Sequence, residues 1–122
     1  MMVQIVTPQQ IEARLYALSK EIDGAHEELN KCESEYHQKK AEYEVCMARS
    51  RMTYASKSSP TGKNYTVQER DDLALLENEN LHFDINIIEA RVKAARNNNA
   101  RIRVQVDLTR SMSASVRTSM EL

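Results

Sequence analysis

From Ile11 onward, apolar residues recur at alternating steps of four and three: Ile11, Leu15, Leu18, Ile22, Ala25, Leu29, Cys32, Tyr36, Tyr43 and Cys46. Lys39 and Ser50 are the polar members of the same series. This spacing lays one stripe along a helix, as in the seam of a coiled coil. A start signal precedes it. Thr7 and Gln10 are spaced for a reciprocal capping box, Pro8 takes the first helical position, where its missing N–H is harmless, and Val6 can staple to Ile11. The pattern predicts a helix over 8–57. Gly24 lies inside it, but a cost of about 1 kcal/mol relative to alanine is too small to end so long a stripe.

The pattern stops in the run S-S-P-T-G-K-N-Y, residues 58–65. Pro60 disfavours helix at Ser59 and Gly62 permits a positive φ, so the chain can reverse there. Thr66 and Glu69 then form a second capping box, and Asp71 and Asp72 place negative charge near the positive end of the helix dipole. A second helix is predicted over 67–118, and it carries two stripes. One holds Leu81, Ile85, Ile88, Val92, Ala95, Ile102, Val106, Val116 and Met120, with Asn99, Thr109 and Ser113 as polar members. The other holds Leu73, Leu76, Phe83, Ile87, Ala90, Ala94, Leu108 and Met112. A helix with two apolar stripes is expected to meet more than one neighbour.

The expected fold is therefore all-α: a long antiparallel two-helix hairpin, coiled-coil-like, forming one helical domain over 1–122 with its turn at 58–65. A lone hairpin buries little apolar surface against the entropy of ordering the chain, so self-association is expected. Composition agrees, since 2 glycines and 2 prolines in 122 residues leave few turns and no glycine-rich phosphate loop. The start M-M-V-Q-I-V-T-P lacks the basic and apolar regions of a secretory signal, and no run is apolar enough to span a membrane. Cys32 and Cys46 lie about 21 Å apart along one predicted helix, too far to bridge. They read as buried free thiols in a reducing compartment, the cytoplasm; the alternative is a thiol contact between neighbouring subunits.

Seventeen basic and 18 acidic residues nearly cancel, but they are segregated. Residues 9–44 carry 5 basic and 9 acidic side chains, and residues 45–70 carry 5 and 1. Residues 71–84 hold 5 acids and no base, after which 85–122 hold 7 bases and 3 acids. The basic block at 45–70 coincides with the expected hairpin tip.

No enzyme constellation emerges. His26, His37 and His82 are scattered, and none has a second histidine or a cysteine at metal-ligand spacing. Glu33 and His37 stand one helical turn apart, as a solvated pair does. Both cysteines fall on the seam, away from the electropositive setting a nucleophile needs. No catalytic residue, metal or cofactor is expected.

The tip is the best lead. On a helix Arg49 and Arg51 diverge by about 200°, flanking the end of the arm. Lys57 and Lys63 add reach from the turn, while Tyr54 and Tyr65 offer faces for stacking. Cations around aromatics suit single-stranded nucleic acid: charges track the phosphates and rings take the bases. The plain alternative is a basic loop that keeps the tip soluble. Arg91, Lys93, Arg96, Arg101, Arg103 and Arg110 read first as a solvated helix surface.

The segment Q-K-K-A-E-Y-E-V-C-M-A-R-S-R-M-T-Y, residues 38–54, resembles a stretch of the UvsY family of bacteriophage recombination mediators, with its Q-K-K start and K-A-R-L-D-Y-Y end. L-H-F-D at 81–84 and R-I-R-V-Q-V-D-L at 101–108 echo the second half of that pattern. Arg49 and Arg51 fall on the family's DNA-binding basic pair and Tyr54 on an aromatic. Thr53 stands where the pattern has an acid, and Ala55 where it has a second aromatic. The resemblance implies a non-enzymatic single-stranded-DNA-binding protein that assembles as a ring. Its partners would be a phage or host recombinase and single-strand-binding protein, in the host cytoplasm if the chain is phage-encoded. On this reading Arg49, Arg51, Tyr54, Lys57, Lys63 and Tyr65 contact DNA. The competing expectation is a structural coiled-coil protein, a virion assembly factor or scaffold, without nucleic-acid binding. Duplex recognition has less behind it, since no helix-turn-helix spacing is visible.

Overall fold

A computed structural model describes residues 6–121 of the chain. The leader reading of residues 1–5 lies outside the described residues, as does residue 122. The fold is all-α, with three helices, two of them long: α1 (Pro8–Ala55), α2 (Val67–Glu77) and α3 (Glu79–Glu121). No strand occurs among the described residues, and one isolated antiparallel bridge, Ser58 to Asn64, closes the turn between α1 and α2.

Both capping boxes form. The Thr7 N–H donates to Gln10 Oε1 at 3.0 Å while the Gln10 N–H donates to Thr7 Oγ1 at 3.2 Å. Thr66 and Glu69 make the same reciprocal pair, each bond 3.2 Å long. These bonds satisfy donors that a helix start otherwise leaves bare, which is why α1 and α2 begin where the sequence places them.

Three boundaries differ from expectation. α1 ends at Ala55, not at residue 57, because the Ser56 N–H is shared between the carbonyls of Met52 and Thr53 and the Ser56 hydroxyl also donates to Thr53 O at 2.8 Å. That tightens the last turn, and the bridge at Ser58 then holds extended backbone. The returning arm is interrupted at Asn78 (φ −110°, ψ 24°). There the Asn78 side-chain amide donates to Ala74 O at 2.9 Å, competing with helical pairing. The helix resumes at once, since the His82 N–H donates to Asn78 O. α3 runs to Glu121, past the expected end at 118.

The chain divides into two compact units, residues 1–31 with 93–122 and residues 32–92. In the first, Leu18, Ala25 and Ile102 form a buried cluster against which Ile22 and Val106 pack. Asn99 is buried, and its amide donates to Ala25 O at 3.4 Å and Ala95 O at 3.2 Å. Arg14 reaches Gln105 at 3.5 Å. Partner numbers fall on α3 as they rise on α1, so the two segments run antiparallel. The N-N-N run at 97–99 stays helical because its one buried member has its amide hydrogens placed.

In the second unit Cys32, Met47, Ala74, Ile85, Ile88 and Val92 are buried. Ser50, also buried, accepts from the Asn78 amide at 3.0 Å, and the Tyr43 and His82 rings meet at 5.8 Å. These pairs again run antiparallel. The first stripe of the returning arm supplies the buried residues of α3 in both units, whereas Phe83 and Ile87 of the second are 58% and 54% exposed. Cys32 is buried and Cys46 half-buried, and both are free thiols. Among the described residues no helix is long and apolar enough to cross a membrane.

Candidate nucleic-acid interface

The turn that presents the basic residues is built by backbone hydrogen bonds. Ser59 N–H donates to Lys63 O at 2.8 Å, and Gly62 N–H donates to Ser59 O at 2.9 Å. Gly62 adopts φ +79°, a conformation that costs a residue with a Cβ about 1–2 kcal/mol. Ser59 and Thr61 hydroxyls meet at 2.8 Å beneath it. This small loop of defined geometry sets Lys57 and Lys63 in solvent on either side of the Ser58–Asn64 bridge.

Tyr54, the last ring on α1, and Tyr65, the first after the turn, are both half-buried. Their rings pack edge to face, centroids 5.7 Å apart and planes 88° to each other. Lys57 Nζ lies 5.5 Å from the Tyr54 centroid, within the range of a cation–π contact. The two rings therefore serve the closure of the tip, and a base stacking on the Tyr54 face would share that face with Lys57.

Arg49 and Arg51 are exposed. Arg51 is also engaged: its Nε donates to Asp71 Oδ1 at 2.9 Å, an ion pair whose side chains are 50% and 44% exposed. Such a pair contributes only a few tenths of a kcal/mol and is screened by salt. A phosphate oxygen can replace the carboxylate with little cost to the fold. The tip thus brings together Arg51, Tyr54, Lys57 and Tyr65 through direct contacts or shared partners, while Arg49 and Lys63 stand apart in solvent.

Two contributors were not foreseen. Arg70 is half-buried and its Nε donates to Tyr65 O at 3.1 Å, tying α2 to the turn. Asp71, expected beside its own helix's dipole and in the acidic block 71–84, instead meets Arg51 of α1. Arg51, Met52, Ala55, Val67, Arg70 and Asp71 line a shallow cleft beside the tip. The Arg51–Asp71 pair follows from the antiparallel register, which sets residues near 50 against residues 71–78 and which only the packed helices fix. Among the described residues no three His, Cys, Asp or Glu side chains are grouped as metal ligands would be. Comparison with protein-family models, curated proteins and solved structures found no match for the chain.

Proposed function

We propose that the chain is a non-enzymatic recombination mediator that binds single-stranded DNA and, as an oligomer, helps to load a recombinase onto strands coated by single-strand-binding protein. The observation that carries the reading is the set of solvent-facing cations near the tip, Arg49 and Arg51 at the end of α1 and Lys57 and Lys63 in the turn, whose backbone hydrogen bonds involve none of their side chains. The resemblance of residues 38–54 to the UvsY pattern points the same way. In this mechanism the tip cations engage phosphates, Arg51 exchanges Asp71 for a phosphate oxygen, and the held strand is offered to the recombinase. One tip carries few charges and would bind weakly, so the activity belongs to an assembly, a ring in the family that the chain resembles.

The test is anisotropy of a labelled single-stranded oligonucleotide across a salt series. Binding near about 50 mM salt that weakens steeply with added salt is expected. Arg49→Ala with Arg51→Ala should lower affinity by about tenfold and reduce the salt slope by about 2. Asp71→Ala should act in the opposite direction by releasing Arg51. No binding at low salt, or binding indifferent to the arginine pair, overturns the reading. The second reading, a structural coiled-coil protein for virion assembly or scaffolding, is favoured by the Arg51–Asp71 pair, in which a tip cation already has an internal partner. It expects a stable oligomer with no affinity for DNA.

A further inference from the structure

The second apolar stripe leaves α3 with a face that nothing in the protomer covers. Phe83 and Ile87 are more than half exposed, and Ala90 lies beside them in solvent. The steps from 83 to 87 to 90 repeat the four-and-three spacing of a seam. At about 100° per residue this face points away from the one that buries Ile85, Ile88 and Val92. Asp84 and Arg91 are exposed at one edge of the stripe, seven residues apart.

We infer that this face pairs with the same face of a second copy, the two α3 helices running antiparallel about a two-fold axis near Ile87. The charge pattern selects both the partner and the direction. An antiparallel pair centred at Ile87 brings Asp84 of each copy beside Arg91 of the other, twice over by symmetry. Glu79 and Asp84 lie on the N-terminal side of Ile87 and Arg91 on its C-terminal side, so antiparallel pairing sets unlike charges opposite one another. A parallel pair would set Asp84 against Asp84 and Arg91 against Arg91, and like charges across a seam oppose association. Phe83, Ile87 and Ala90 supply the apolar centre and the charged edge fixes the direction, the division of labour seen in paired helices generally.

The inference goes beyond the proposed function, since a two-fold contact closes at two copies and does not by itself build a ring, and it is tested without nucleic acid. Its failure leaves DNA contact at the tip standing, and loss of DNA binding in tip variants leaves the pairing standing. The experiment is sedimentation velocity of the full chain over a concentration series, with helicity followed by circular dichroism. Wild type should self-associate. Phe83→Ser with Ile87→Ser should keep its helicity, since both side chains are exposed in the protomer, and weaken association by about a hundredfold or more. Asp84→Arg alone and Arg91→Asp alone should each weaken it by about threefold or more, and the two together should restore it. A wild-type chain that stays monomeric, association unaffected by the Phe83 and Ile87 changes, or a charge exchange that fails to restore association overturns the inference. If the face instead serves a different protein, the wild type sediments as a monomer, which is one of those outcomes.

Discussion

The cluster around Leu18 and the tip around Gly62 hold the same two arms of the chain by different means. Leu18 is fully buried with Ala25 and Ile102 between antiparallel helix segments, so that region depends on removing aliphatic surface from water. The tip has no such cluster. It is held by a capping box, a glycine at positive φ, a tyrosine pair and one half-exposed ion pair. Burial rewards every methylene and does not tolerate replacement, whereas caps and exposed pairs each contribute little. The cations therefore sit where the fold is least sensitive to them, and binding can be altered at the tip with little loss of stability.

Four substitutions, in order of expected effect, probe that contrast by denaturant unfolding. Leu18→Ala should cost about 2–5 kcal/mol, because it removes a fully buried side chain and leaves a cavity between two helices. A loss below about 1 kcal/mol would mean that the cluster repacks freely and that the two regions are less different than described. Gly62→Ala and Thr66→Ala should each cost about 1 kcal/mol, the first through strain at positive φ and the second through loss of the cap. Nothing stands within 4 Å of where a Cβ would be added at Gly62, so any loss there reports backbone conformation and not a clash. Arg51→Ala should cost less than about 0.5 kcal/mol, and a double-mutant cycle with Asp71→Ala should return a coupling of a few tenths. A coupling above about 1 kcal/mol would make Arg51 a structural residue and favour the scaffold reading.

Most of the fold was legible because long heptad stripes and capping boxes are local or periodic signals. Ile11, Leu18, Ala25 and Cys32 on α1, and Ile85, Ile88, Val92, Asn99, Ile102 and Thr109 on α3, are buried where the spacing put them. Met47 and Ala74 are buried although neither was assigned to a stripe. Near Asn78 the interrupted helix shifts the contact face, and a small side chain such as Ala74 fits a close approach that hydrophobicity does not announce. The interruption itself was not legible, since an asparagine breaks a helix only when its amide finds better acceptors, here Ala74 O and Ser50 Oγ. At the candidate site the residue types and the turn could be read along the chain, but the engagement of Arg51 by Asp71 and of Tyr54 by Tyr65 could not.

By itself, then, the sequence determined the periodic and the local: helical arms, their starts, the reversal at Gly62, the buried stripe and the gathering of positive charge between residues 45 and 70. Each of these depends on residues within a turn or two of one another, whose conformational preferences act before any long-range contact forms. Only tertiary structure decided which of the two apolar stripes of α3 would be covered and which tip cation would meet an anion. Both depend on which side chains the antiparallel register brings opposite one another, and that register is a property of the packed pair of helices, not of either helix alone.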